Sequence, residues 1–356
     1  MRQRGFNLLE LAVASALAGI IATAAVGAFA ALNRQIVRMQ HETLASDNAK
    51  TLVDFLVSDL QAIGGGSVRP WAALLVEDGE DPVADSRCSS FNCAGGHVSD
   101  RISYATVVAG SPTCPISATT GTTVQSTGVA AACCLQKLVD VAGFGAPPTM
   151  HAVLTSGNAS RHVVLTGLNT LTCEMGMQDG PLTGANNVDA DNLIDSKDSS
   201  VVSVDFTGGS ISGVEVTMVY LDEASHTLFS AKERSGFNGS NVTIDPFTER
   251  KRLANDVYDL QVQLGFDGNP GDGRLVDTNN TADEWLYNTS GDVLPAAIRL
   301  IDLRMVAVGV VVGVNVRDQA YQSGAQVVGG PPRASAGIHM RGAMGKAALR
   351  NIFVFF

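Results

Sequence analysis

The chain has 356 residues, a length that suggests about two structural units. Its 35 acidic residues outnumber 24 basic ones, for a formal net charge of −11. That balance argues against a general affinity for nucleic acid, which needs a basic surface. Arg250-Lys251-Arg252 is a local exception and reads as a solvated turn.

At the amino terminus, Met1-Arg2-Gln3-Arg4 leads into Gly5-Phe6-Asn7-Leu8-Leu9-Glu10. Residues 11–32 follow, 22 positions without a charge. As a helix they extend about 33 Å, enough to cross the hydrocarbon core of a bilayer. A carboxylate at the edge of such a segment is costly to bury and normally marks function. A secretory signal is one reading, because Ala28-Phe29-Ala30 fits the A-x-A cleavage pattern. Against it, the apolar run is too long and Glu10 stands where the signal core should begin. A plain membrane anchor is another reading, and it leaves Gly5-Phe6 and Glu10 without a purpose. The hexapeptide resembles the type III signal of type IV pilins, close to G|F-x-L-x-E. That resemblance implies cleavage between Gly5 and Phe6, N-methylation of Phe6, and Glu10 as the fifth mature residue.

Small residues crowd the membrane half, among them Ala12, Ala14, Ala16, Gly19, Ala22, Gly27 and Ala31. They allow close helix approach in lipid, where packing drives association. Many major pilins carry a helix-breaking proline where this chain has Gly27. Beyond the membrane segment, Ala45, Ala49, Leu52, Leu56, Leu60 and Ile63 recur at steps of three and four, with Val53 and Val57 beside them. This is one apolar stripe of helical period. Arg34, Arg38, Glu42, Asp47, Lys50, Asp54 and Asp59 mark the opposite, solvated face. No proline precedes Pro70, and Gly64-Gly65-Gly66 supplies a stop. The spacing predicts one helix over 6–63, about 87 Å long.

Residues 68–100 read as loop, and 110–132 as an irregular excursion pinned by cysteines. Strand patterns are predicted over 101–109, 162–166, 201–206, 214–220, 260–264, 297–312 and 348–356. Leu260, Val262 and Leu264 alternate with Gln261 and Gln263, the period of a half-buried strand. The fold class expected is α+β: a long amino-terminal helix, half transmembrane and half amphipathic, packed on a largely antiparallel β-sheet domain. The division expected is a leader over 1–5, the helix over 6–63, a loop-rich cysteine-containing β region over 64–200, and a β-sheet domain over 201–356.

The cysteines are Cys88, Cys93, Cys114, Cys133, Cys134 and Cys173. An even count in an exported domain favours disulfides over free thiols, with 15 connectivities open. Adjacent Cys133 and Cys134 are expected to serve different partners. No spacing matches a structural zinc site. No G-x-S-x-G, H-E-x-x-H or Walker loop is present. The histidines, including His41, His97, His151 and His162, show no metal-ligand spacing. Two acidic loops, Asp189-Ala190-Asp191 with Asp195 and Asp198, and Asp267-Gly268-Asn269 with Asp272 and Asp277, carry oxygens of the kind calcium takes. Both lack the full EF-hand order and read as solvated loops. No catalytic, cofactor-binding or metal residue is expected.

The body resembles PilW-like minor pilins. The match lies in Val216-Thr217-Met218-Val219-Tyr220-Leu221 with Thr227-Leu228-Phe229, and in residues 253–262 leading into Gly265-Phe266-Asp267-Gly268. Trp285, Ile298-Arg299-Leu300 and Leu349-Arg350-Asn351 follow in order, while Ser230 stands where the family often has arginine. The resemblance implies a pilin-like fold and a structural, non-enzymatic subunit that helps prime pilus assembly and form a tip complex. It implies as partners other minor pilins, the major pilin, a prepilin peptidase and a tip adhesin. It implies a single-pass inner-membrane protein with a periplasmic carboxy-terminal domain, which then enters the pilus. The retained Glu10 places such a subunit below the very tip, and Glu10 would pair with the amino terminus of a neighbour. The same amino-terminal pattern fits a type II secretion pseudopilin, and an uncleaved tether could carry a periplasmic binding domain or enzyme.

Overall fold

A computed structural model of the chain describes residues 8–63, 73–77, 99–142, 149–157, 159–179, 205–237, 242–245, 250–266, 285–286, 303–315, 322–327 and 333–349. Its first element is α1 (Leu8–Leu60), one uninterrupted helix of 53 residues, about 80 Å long. The predicted stripe is buried: Ala45, Ala49, Leu52, Val53, Leu56, Leu60 and Ile63 all face the domain. Each large apolar side chain so buried contributes roughly 1.5–3 kcal/mol. Residues 8–40 are exposed throughout. The helix ends three residues earlier than predicted. Ala62 and Ile63 donate to the carbonyls of Asp59 and Leu60, at 3.0 and 3.1 Å, and tighten the last turn. The glycines at 64–66 lie outside the described residues.

Under α1 lies an antiparallel sheet of β12 (Val257–Phe266), β14 (Leu303–Asn315) and β17 (Ile338–Ala348), with β13 (Trp285–Leu286) beside β12. Val306, Val308, Val310 and Val312 alternate along β14 and share one core with the stripe of α1 and with Leu260, Val262 and Leu264. The strand predicted over 297–312 is β14, whose residues 303–315 are described. Of the strand predicted over 348–356, Ala348 is the last residue of β17 and 350–356 lie outside the described residues. The rest of β17 was not predicted, because its sequence is rich in glycine and alanine. The helix explains that composition. A side chain at Gly345 would lie 2.4 Å from Val53 Cγ1 and 2.7 Å from Val57 Cγ2. Only a strand without bulk there lets α1 lie flat.

The other face of this sheet is also covered. Hairpin β15 (Gln322–Ala325) and β16 (Arg333–Ala336) leads into Val327 and Met340, which pack with Val311. Gln261 and Gln263 are therefore buried, which corrects the half-buried reading of β12.

A second sheet contains β1 (Leu74–Glu77), β2 (Arg101–Val107), β8 (Ser210–Asp222), β9 (Thr227–Phe237), β10 (Val242–Asp245) and β11 (Arg250–Asn255). β1 falls in the stretch read as loop, a correction, and its Leu74 and Val76 join the core beneath α1. The predicted strand over 214–220 is the middle of β8. Both sides of β8 are paired, with β2 and β9 over its second half.

The first residues of β8 belong to a different circuit. They pair with β3 (Thr113–Thr119) on one side and β5 (Thr149–Ser156) on the other. β3 pairs with β4 (Thr123–Ser126), β4 with β7 (Glu174–Asp179), β7 with β6 (Ala159–Asn169), and β6 with β5. The six strands close on themselves, a small antiparallel barrel without a free edge among them. Its core holds Ile116, Val124, Met150, Leu154, Leu165 and Met175, and α2 (Cys134–Ala142) adds Leu135 and Leu138. Two expectations change here. The excursion over 110–132 contains the β3–β4 hairpin. Of the strand predicted over 201–206, Asp205 and Phe206 are described; they form a turn that puts Phe206 into the barrel core. Asp205 Oδ1 accepts from the Thr207 amide and from Thr119 Oγ1, both at 2.9 Å, and fixes that turn.

Candidate assembly helix and its attachment to the domain

Glu10 lies in the first turn of α1, where the helix dipole favours a negative charge. Around it, Leu8, Leu9, Leu11, Val13 and Leu17 are exposed, and exposed apolar residues continue through Ile20, Ile21, Val26, Phe29 and Leu32. α1 is long and apolar enough to cross a membrane. So much apolar surface requires lipid or other helices around it. Its hydroxyls need neither. Ser15 donates to the Ala12 carbonyl at 2.9 Å and Thr23 to the Gly19 carbonyl at 2.8 Å, so each is satisfied within the helix. Among the described residues, no atom of another element lies within 4 Å of a side chain built at Gly19 or Gly27. The helix therefore presents two flat places. Gly5 and Phe6 lie outside the described residues.

Where α1 reaches the domain, two of the acidic residues expected on its solvated face turn inward. Glu42 forms an ion pair with Arg341 of β17, and its Oε1 is 3.9 Å from His339 Nε2. Burial, then the nearby His41, hold His339 below the usual histidine range, so Arg341 supplies the cation. Asp59 accepts a hydrogen bond from Tyr104 of β2 at 3.0 Å. Burial, then Asp59, push the Tyr104 phenol far up, so it remains a donor. These two contacts fix the helix against two different sheets.

Cys133 and Cys134 bond to different partners, as their adjacency suggested. Cys114 joins Cys134, tying β3 to α2, and Cys133 joins Cys173, tying the turn before α2 to the start of β7. Closing loops with separations of 20 and 40 residues is worth about 3 and about 4 kcal/mol by the chain-entropy relation. Cys88 and Cys93 lie outside the described residues, as do both acidic loops considered for calcium.

Two polar groupings were not legible from spacing. His151 on β5 and His162 on β6 are both buried, with Nδ1 and Nε2 3.2 Å apart and the rings stacked. They are brought together because β5 and β6 form a hairpin. Burial lowers both, His151 to about 4 and His162 by burial and then the charge of His151. Asp259 on β12 is the other. It is fully buried, and its Oδ1 accepts from Ser99 and Gln261 at 3.1 Å and from Arg333 at 3.2 Å. Burial raises its carboxyl against the lowering effects of Gln261, Arg333 and Ser99. Both groupings sit inside packed interfaces. Among the described residues no group of three or more His, Cys, Asp or Glu could hold a metal.

No family model, curated protein or solved structure matches the chain. Its long apolar helix on an antiparallel sheet is compatible with a pilin-like fold and with a single-pass anchor.

Proposed function

We propose that this chain is a minor type IV pilin of the PilW-like kind, a structural subunit that helps prime filament assembly and form a tip complex. One observation carries the reading: a single rod whose exposed apolar half carries Glu10 near its start and whose other half is fixed on an antiparallel domain. A simple anchor has no use for a rigid continuation across the domain or for that carboxylate. In this reading the leader is cut after Gly5, Phe6 is N-methylated, and the subunit waits in the inner membrane with its domain in the periplasm. Glu10, costly in lipid, then pairs with the amino terminus of a neighbouring subunit as the filament grows. The partners are other minor pilins, the major pilin, the prepilin peptidase and a tip adhesin.

Deletion tests the reading. Loss of surface pili and of twitching, restored by the wild-type chain, is the expected result. Loss of exoprotein secretion with pili intact would assign the chain to a secretion system. Neither phenotype would leave a tethered periplasmic domain as the better account.

A further inference from the structure

A groove of about 610 Å³ runs along the flank of the domain between α1 and β11. One wall is α1, with Thr51, Leu52 and Phe55; the other is residues 251–256, and Val312 lies at the base. Side chains alternate between faces along a strand, so a wall built from consecutive residues is the strand's edge. β9 occupies the opposite edge of β11, and among the described residues no strand pairs with this one. Such an edge presents backbone donors and acceptors to any extended chain that fits beside it.

The groove has an apolar side and a charged side. Leu52 and Val312 are buried, whereas Phe55 is 44% exposed and turned away from the stripe that packs on the domain. Lys251 and Arg252 are exposed on the strand. They follow Arg250, whose guanidinium lies 3.4 Å over the Phe229 ring and 3.9 Å from Asp222. Neither Lys251 nor Arg252 makes an ion pair among the described residues. Asp256 adds one carboxylate to the lining, which the two adjacent cations outnumber; in a chain of net charge −11 they select against basic and for acidic partners. They also oppose a second copy. Two β11 edges laid together would set Lys251 and Arg252 against their own like, and the bulge between Arg252 and Ala254 would break the ladder.

We propose that this groove takes an extended acidic segment of a partner protein, added as a strand on the free edge of β11, with an apolar side chain on Phe55 and carboxylates on Lys251 and Arg252. The inference does not depend on the filament reading, because a tethered domain of any duty would carry the same groove.

Lys251 and Arg252 are adjacent and so face opposite sides of the sheet. The test therefore uses the full chain in detergent micelles and a ten-residue synthetic peptide of valines interrupted by adjacent glutamate pairs, one carboxylate for each face. A counterpart with adjacent lysine pairs in the same places is the control. Calorimetry should show binding of the acidic peptide alone, weakening with salt. Hydrogen exchange should show new protection of the amides at 250–255. Lys251→Glu/Arg252→Glu, both on the surface, should lower affinity at least tenfold, and Phe55→Ser should lower it as well. Equal binding of both peptides, no binding of either, unchanged affinity in the charge-reversed variant, or no protection at 250–255 would each overturn the proposal. So would a concentration-dependent dimer, or preferential binding of a DNA duplex, abolished by the same substitutions.

Discussion

Gly345 is a single residue whose absence of a side chain decides how two elements meet. The Val53 and Val57 side chains of α1 occupy the space a Cβ would need. Gly345→Val is expected to force the helix from the sheet, at a cost of about 1–3 kcal/mol, read as a lower urea midpoint. An unchanged midpoint would mean that α1 can shift without loss. The histidine pair acts at the same scale with an opposite logic. Both groups titrate lower folded than unfolded, so the unfolded chain binds more protons once pH falls below about 6.5. Stability is therefore present above that pH and drains as pH drops toward about 4, where His151 alone has removed about 3 kcal/mol. A variant with Phe at both His151 and His162 should show a flatter fall in Tm between pH 6.5 and 4 than the wild type. Parallel curves would remove the pair as a cause.

Among the elements, α1 was the most legible, because a period of three and four over 45–63 survives any tertiary arrangement. Its solvated face was less so. Glu42 and Asp59 look like their neighbours in sequence, yet Arg341 and Tyr104 reach them from sheets that only the fold brings close. The small barrel was nearly invisible. β3 and β4 are short and rich in Ser and Thr, and of the 11 residues of β6 the pattern predicted 162–166 alone. Substituting Cys133 and Cys173 with serine should cost about 4 kcal/mol by the chain-entropy relation and expose residues 113–179 to protease first. Uniform protection across the chain after substitution would show that barrel closure alone suffices.

On the scale of the whole molecule, β8 is the joint. Ser210–Gly213 complete the barrel, and the residues after them carry the sheet that meets α1. Register set by the helix thus reaches the barrel through β8, and Val153 of β5 shares the core of the α1 stripe. The exposed apolar half of α1 should hold the full chain in the membrane fraction under alkaline extraction; release into the soluble fraction would contradict it. In the filament reading, Glu10→Ala should leave the domain's Tm unchanged and reduce incorporation into sheared pili at least tenfold, whereas wild-type levels would end the charge-pair account. By itself the sequence determined the rod, its two environments, the antiparallel class and the unlike partners of Cys133 and Cys134, because periodicity, charge gaps and adjacency are local properties of a chain. Only the tertiary structure decided the closed barrel, the covered second face of β12, the histidine pair and the open edge of β11. Each of those depends on which distant strands pair, and local pattern carries no record of that choice.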